Sequence, residues 1–219
     1  MKDGVRAPAR PEIFRGGLCG CVLAGGISSR MGRDKALLRL SGHAESPRLI
    51  DRAWRILSAI CPQVYVASAP GRPYPPYPCL YDEIPRKGPL CGVIGALKRA
   101  SAMNYGGIVA LACDLPLMRP ALLRRLAQNA PGGAAGAFYE NPANGKIEML
   151  AGIYFVSSLP FLEAAVEKGN FSLYWALPAD SVYTIPLAAE DVQAFLNCNT
   201  GDDLAIISVM EASGPGWER

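Results

Sequence analysis

From Cys19 to Met210, short apolar runs alternate with stretches whose apolar residues recur at helical spacing. That alternation restricts the chain to folds in which crossover helices link the strands of a largely parallel sheet. Strands are expected at 19–23, 64–67, 108–112, 134–139, 151–155 and 182–185, with a short one ending near Tyr81. Leu49, Ile50, Ala53, Trp54, Leu57 and Ile60 share one helical face, and Val93, Ile94 and Leu97 do so within 92–100. Further helices are expected at 120–128, where Pro120 suits the first turn, and at 159–166. Thr200-Gly201-Asp202-Asp203 reads as a capping box opening a last helix, with Leu204, Ile207 and Met210 inward. Five prolines between Pro70 and Pro78 impose an extended, exposed loop. The expected fold is α/β, three layers with a mostly parallel central sheet and helices on both faces.

At 219 residues the chain can bury a sizeable core as one domain, placed at 18–211. Residues 1–17 carry Lys2, Arg6, Arg10 and Arg15 among Pro8, Pro11 and Gly16-Gly17, with no apolar core behind them. They read as a flexible arm rather than a secretory signal, and 212–219 as a tail. No apolar run approaches the roughly 20 residues needed to cross a bilayer. The net charge of +3, spread without a basic run, does not point to nucleic acid or to a membrane surface. Seven cysteines form no C-x-x-C pair, and several lie in apolar runs, as reduced core cysteines of a cytoplasmic protein do. The single histidine, His43, sits in a polar loop and reads as a bystander, so a zinc site is not expected.

The first apolar run opens into Leu23-Ala24-Gly25-Gly26-Ile27-Ser28-Ser29-Arg30-Met31-Gly32-Arg33-Asp34-Lys35. Glycines there let backbone N–H groups approach a ligand, and Arg30 and Lys35 supply charge, which suits phosphate. The spacing fits neither a P-loop nor a dinucleotide fingerprint. The most apolar run, 108–112, leads directly into Cys113-Asp114, so Asp114 belongs at the carboxyl edge of the sheet, where open α/β folds bind ligands. Such a carboxylate suits Mg²⁺, which takes one or two carboxylates plus nucleotide phosphates; it would equally cap the helix near Pro120. Lys35 and Arg30 taken alone also fit solvated loop charges.

The glycine-rich segment resembles the signature of the molybdenum cofactor guanylyltransferases, within the nucleotidyltransferases that move an NMP group onto a phosphate. Three further blocks resemble that family in the expected order: Lys87-Gly88-Pro89-Leu90-Cys91-Gly92, Ala112-Cys113-Asp114-Leu115-Pro116, and Asn197-Cys198-Asn199-Thr200-Gly201-Asp202-Asp203-Leu204. The resemblance covers about residues 18 to 210 and implies a Rossmann-like nucleotidyltransferase fold. It implies transfer of GMP from GTP to the phosphate of molybdopterin or the molybdenum cofactor, with release of pyrophosphate and with Mg²⁺ as cofactor. Cofactor-supplying proteins and acceptor molybdoenzymes are the implied partners.

By the same resemblance Lys35 reaches the nucleotide phosphates, Arg30 helps neutralise the leaving pyrophosphate, and Asp114 holds the metal. Leu23, Ala24, Gly25, Gly26, Gly88, Pro89, Leu90 and Gly92 surround the nucleotide. Asp82 is placed on the nucleotide side, with an ordinary turn residue as the other reading. Asn197 and Asn199 alternate along an extended segment and share a face; they contact the acceptor or a metal-bound water, or pin the turn before the last helix. Leu-Ala-Gly-Gly favours guanine over the Leu-Ala-Ala-Gly common in cytidylyltransferases for the same cofactor. Arg33-Asp34 and Ala36 depart from the family pattern, and the loop 42–47 looks extended, without touching the phosphate-binding residues. The alternatives are a cytidylyltransferase and a non-catalytic nucleotide-binding module, which would be expected to have lost Asp114 or Lys35.

Overall fold

The structure, a computed structural model, describes residues 17–24, 34–40, 46–81 and 88–213. Among them eight strands form one sheet: β1 (Leu18–Leu23), β2 (Val64–Ser68), β3 (Cys79–Tyr81), β4 (Gly107–Ala112), β5 (Gly136–Asn141), β6 (Lys146–Ile147), β7 (Ala151–Phe155) and β8 (Val182–Pro186). Their order is β3-β2-β1-β4-β7-β5-β6, with β8 pairing β5. Pairs β1–β2, β1–β4, β2–β3 and β5–β8 are parallel, while β4–β7, β5–β7 and β5–β6 are antiparallel. Six strands therefore run one way, and β6 and β7 the other. The sheet is mostly parallel but mixed, because the polar turn after Asn141 is too short for a crossover and returns the chain as a hairpin.

The helices are α1 (Leu49–Ser58), α2 (Pro89–Ala102), α3 (Pro120–Asn129), α4 (Leu159–Glu167), α5 (Leu173–Ala176) and α6 (Gly201–Ser213). One core joins Ile50 and Ile56 of α1 and Leu122 and Leu126 of α3 to Val22, Val66 and Leu111 of the sheet. The second joins Leu90 and Leu97 of α2 and Leu162 of α4 to Cys21, Ile108 and Phe138. Successive residues of β4 divide between the two cores, so a strand covered on both faces reads as a continuous apolar run. All seven cysteines are free thiols, and six of them are buried.

Several boundaries move. Pro89 occupies the first turn of α2, so the helix starts three residues before the expected 92, and Gly88 precedes it at φ +84°. Gly17, expected in the arm, accepts from the Gly106 N–H beside β1, and α6 runs through Ser213 into the expected tail. The remainder of the arm and residues 214–219 lie outside the described residues. The proline-rich loop is exposed at most positions, yet Tyr74 within it is buried. No helix among the described residues is long and apolar enough to cross a membrane.

Candidate functional site

Parallel pairing of β1 with β4 brings Leu23 opposite Ala112, so both strands end at one edge of the sheet. Just beyond, Ala24 N–H donates to Ala67 O and Cys113 N–H to Leu23 O, which carries the pairing one residue further and delivers Asp114 to that edge. The backbone then turns, with Leu115 N–H on Ala112 O and Met118 N–H on Leu115 O. Arg52 of α1, only 2% exposed, reaches across from the core and donates Nε and Nη2 to Pro116 O at 3.2 and 3.1 Å. The Asp114 carbonyl accepts from Cys198 N–H at 2.8 Å, which draws the Asn197–Asn199 segment alongside.

Lys35 opens a single 3-10 turn, Lys35–Leu37, capped by Asp34. One Asp34 oxygen accepts from Ala36 N–H at 3.1 Å, and the other from the Tyr74 hydroxyl at 2.7 Å. Lys35 Nζ lies 2.5 Å from Asn199 Oδ1 and 3.9 Å from Asp114 Oδ2. Asn199 is held from behind by α6: Asp203 Oδ2 accepts from the Asn199 and Thr200 N–H groups, both at 2.8 Å, while Asp203 N–H donates to Thr200 Oγ1. The expected capping box thus also fixes the site.

Burial pushes the Asp114 carboxyl above the usual carboxylate range, and the Lys35 ammonium works against that rise. Among the described residues, Asp114 Oδ1 is the one buried side-chain oxygen or nitrogen without a hydrogen-bond partner. A buried, unsatisfied carboxylate oxygen is costly unless a ligand completes it. One such oxygen at a sheet edge fits Mg²⁺, which keeps waters and takes its remaining ligands from phosphates. The described residues hold no group of three His, Cys, Asp or Glu side chains fit for an all-protein cage. Burial also raises the neighbouring thiols, Cys198 to about 11, so neither it nor Cys113 is poised as a thiolate nucleophile.

Beside Asp114 a cavity of about 320 Å³ opens between the start of α2, Leu115, Asn197 and the chain from Lys146 to Leu150, with residues 171–174 forming the far wall.

Of the sequence-derived site, Lys35, Asp114 and Asn199 converge, Asn197 and Pro89 line the adjoining cavity, and Leu23 and Ala24 end β1. Leu90 and Gly92 are buried in the first turns of α2, behind Gly88 and Pro89. Asp114 does not cap α3, which begins at Pro120 after Arg119. Lys35 is half-buried and is held by Asn199 and Asp114. Arg30, Gly25, Gly26, Asp82 and His43 lie outside the described residues. Tyr74 and Arg52 escaped sequence reasoning. The first sits in a proline run, and the second shares an amphipathic helix with ordinary surface charges.

A family model described as the MobA-like NTP transferase domain matches residues 20–181. A protein of Chloroflexus aggregans named "Probable molybdenum cofactor guanylyltransferase" is 33% identical over 201 residues, 87% of this chain and 93% of that one. One of the same name from Mycobacterium tuberculosis is 33% identical over 189 residues, covering 85% and 91%. Among solved structures, molybdopterin-guanine dinucleotide biosynthesis protein A of Archaeoglobus fulgidus superposes with a TM-score of 0.71 at 22% identity, over 90% of this chain and all of that one. A 2-C-methyl-D-erythritol 4-phosphate cytidylyltransferase of Thermus thermophilus gives 0.61 at 16% identity, over 89% and 98%. At those identities the two structures carry the fold alone.

Proposed function

The chain belongs to the MobA-like NTP transferase family, and from that premise we propose that it transfers GMP from GTP to the terminal phosphate of molybdopterin, or of its molybdenum-loaded form, releasing pyrophosphate. One observation carries the reading. A lysine ammonium and a half-buried carboxylate, one of whose oxygens is buried without a partner, face each other 3.9 Å apart at the sheet edge where β1 ends.

An oxygen of the acceptor phosphate attacks the α-phosphorus of GTP, a new P–O bond forms, and the bond to the β-phosphate oxygen breaks. The attacking oxygen is already anionic, so no strong general base is needed, in keeping with a site that presents no histidine and no activated thiol among the described residues. The protein's task is alignment and neutralisation of charge. Lys35 binds the nucleotide phosphates, and Arg30 adds a second cation for the leaving group. Asn199, held 2.5 Å from Lys35, keeps the ammonium oriented and offers its amide to a bound water. Asp114 would hold Mg²⁺, and its carboxylate is aimed by the Arg52 and Cys198 contacts on its loop. When bound there, Mg²⁺ neutralises phosphate charge and helps orient donor and acceptor.

Presence of both Lys35 and Asp114, 3.9 Å apart, disfavours a nucleotide-binding module without activity. Free thiols throughout suit a reducing cytoplasm, where the product passes to molybdoenzymes. Incubation with molybdopterin, Mg²⁺ and each of GTP, CTP, ATP and UTP tests the reading by pyrophosphate release. Release fastest with GTP supports it. A tenfold preference for CTP moves the assignment to a cytidylyltransferase, and no release with any nucleotide refutes transfer.

A further inference from the structure

Building on the transfer reading above, we infer that the cavity beside Asp114 receives the acceptor's ring and that Glu148 selects it, by accepting hydrogen bonds from the N–H and amino groups of a 2-amino-4-oxopyrimidine edge.

The position separates donor from acceptor. The glycine-rich loop leaves β1 on one side of β4, whereas β7, β5 and β6 lie on the other. Much of the cavity comes from that second side, and its wall is completed by Pro89 at the start of α2, by Leu115, next to Asp114, and by Asn197, two residues from Asn199. A ring seated there lies against the loop that carries Asp114 and the segment that carries Asn199.

The backbone is shaped for the purpose. Between the Glu140–Ile147 and Ala137–Ile153 pairs, β5 advances three residues and the returning strand six, leaving Glu148-Met149-Leu150 outside the ladder. Extra residues in one strand re-aim a side chain. The excursion is firmly tied: Glu148 N–H donates to Tyr139 O, Met149 O accepts from the buried Tyr154 hydroxyl, and Leu150 O accepts from Ala112 N–H.

The chemistry follows from what Glu148 accepts. Its side chain is 10% exposed, and both oxygens face the Lys146 ammonium at 3.2 and 3.0 Å, itself 56% exposed. A carboxylate has about four lone-pair sites and no donor. Capacity therefore remains for two parallel N–H donors, the pattern of a 2-amino group beside a ring N–H. Phe171 and Tyr174 supply aromatic walls for a flat ring. A volume of about 320 Å³ is at the small end for ligand pockets, enough for a fused ring but not a whole nucleotide. Guanine carries the same edge, so the test must separate donor from acceptor.

The probes are 6-hydroxymethylpterin and 6-hydroxymethyllumazine, which differ in that an oxo group beside a protonated N1 replaces the 2-amino group, so lumazine lacks the amino donor next to N3–H. They are titrated by fluorescence against the full chain with Mg²⁺ and a non-hydrolysable GTP analogue. GTP and ITP, which differ by the same amino group, are titrated in parallel. The wild type is expected to prefer the pterin at least tenfold. Glu148→Gln should cut that preference to about threefold or less, with unchanged melting temperature and unchanged GTP-over-ITP preference, since Gln can donate to the oxo group. An unchanged pterin preference in the variant, or equal or absent wild-type binding of both rings, overturns the proposal. So does a loss of GTP-over-ITP preference, which assigns the carboxylate to the donor base. GMP transfer to molybdopterin by the wild type is scored separately. Its failure alongside a Glu148-dependent pterin preference would reject the transfer reading and keep the ring pocket.

Discussion

At Asp114, burial and ligand chemistry pull against each other. Its folded pKa lies above the ordinary value, so the native state holds this proton more tightly than the unfolded chain. Stability from this group is greatest below the unfolded value and falls as pH rises through the window up to the folded one. At neutral pH the ionised carboxylate is therefore a cost that a bound cation relieves. Asp114→Asn keeps the shape and removes the charge. It should melt at or above the wild-type temperature at pH 7, while turnover falls by about 10²–10³, the scale of losing one strong electrostatic contact to the transition state. Normal turnover with normal Mg²⁺ dependence in that variant would exclude a metal role. Lys35→Ala should lower kcat/KM by about one to two decades, from loss of a charge-assisted contact of roughly 1.5–3 kcal/mol. Because the ammonium opposes the rise in the Asp114 pKa, its removal should also move the acidic limb of the pH–rate profile to higher pH. A limb that stays put would show that Asp114 does not titrate in that limb. Lys35→Arg should rescue only in part, since a planar fork approaches phosphate differently. Asp114 was legible because it stands just past a strand end, and Lys35 because it closes a recognisable glycine-rich run. Tyr74 and Arg52 were not, because their partners Asp34 and Pro116 lie 40 and 64 residues away, and nothing local marks the contact.

Elements were legible where periodicity is local. The face of α1 and the capping box of α6 follow from spacing and turn chemistry. The antiparallel insertion of β7 between β4 and β5 did not, because apolar runs covered on both faces look alike in either direction. What marks that insertion physically is glycine. A Cβ on Gly152 would lie 2.3 Å from the Phe138 ring and 2.9 Å from Ala137 O, and one on Gly107 2.4 Å from Tyr154 O. Phe138 in turn packs edge-on against Tyr154, with centroids 4.9 Å apart. Gly152→Ala should therefore cost about 2–3 kcal/mol by overpacking, a fall of roughly 5–10 °C in Tm. Thermal melting checks it, and an unchanged Tm would mean that β7 does not lie this close to β5.

On the scale of the whole molecule, the sheet does two things at once. Its parallel half leads into the glycine-rich segment and the Lys35 turn, and its hairpin half contributes the 146–150 wall of the cavity beyond Asp114. A transferase for two substrates needs such a division, with the reacting phosphates meeting at the boundary. Fold class was open to sequence reasoning because alternating strands and helices admit few arrangements. The cavity was not, because its walls come from α2, the turn after β4, the 146–150 segment, residues 171–174 and Asn197, which only the folded chain assembles. The proposed reaction joins the α-phosphate of GTP to the acceptor at this boundary. The most direct measurement is label transfer from GTP carrying ³²P at the α position, in the presence of Mg²⁺ and molybdopterin. Label is expected in the molybdopterin product, with none in the released pyrophosphate and a slower reaction from α-labelled CTP. Label that never enters the acceptor, or enters tenfold faster from CTP, would contradict it.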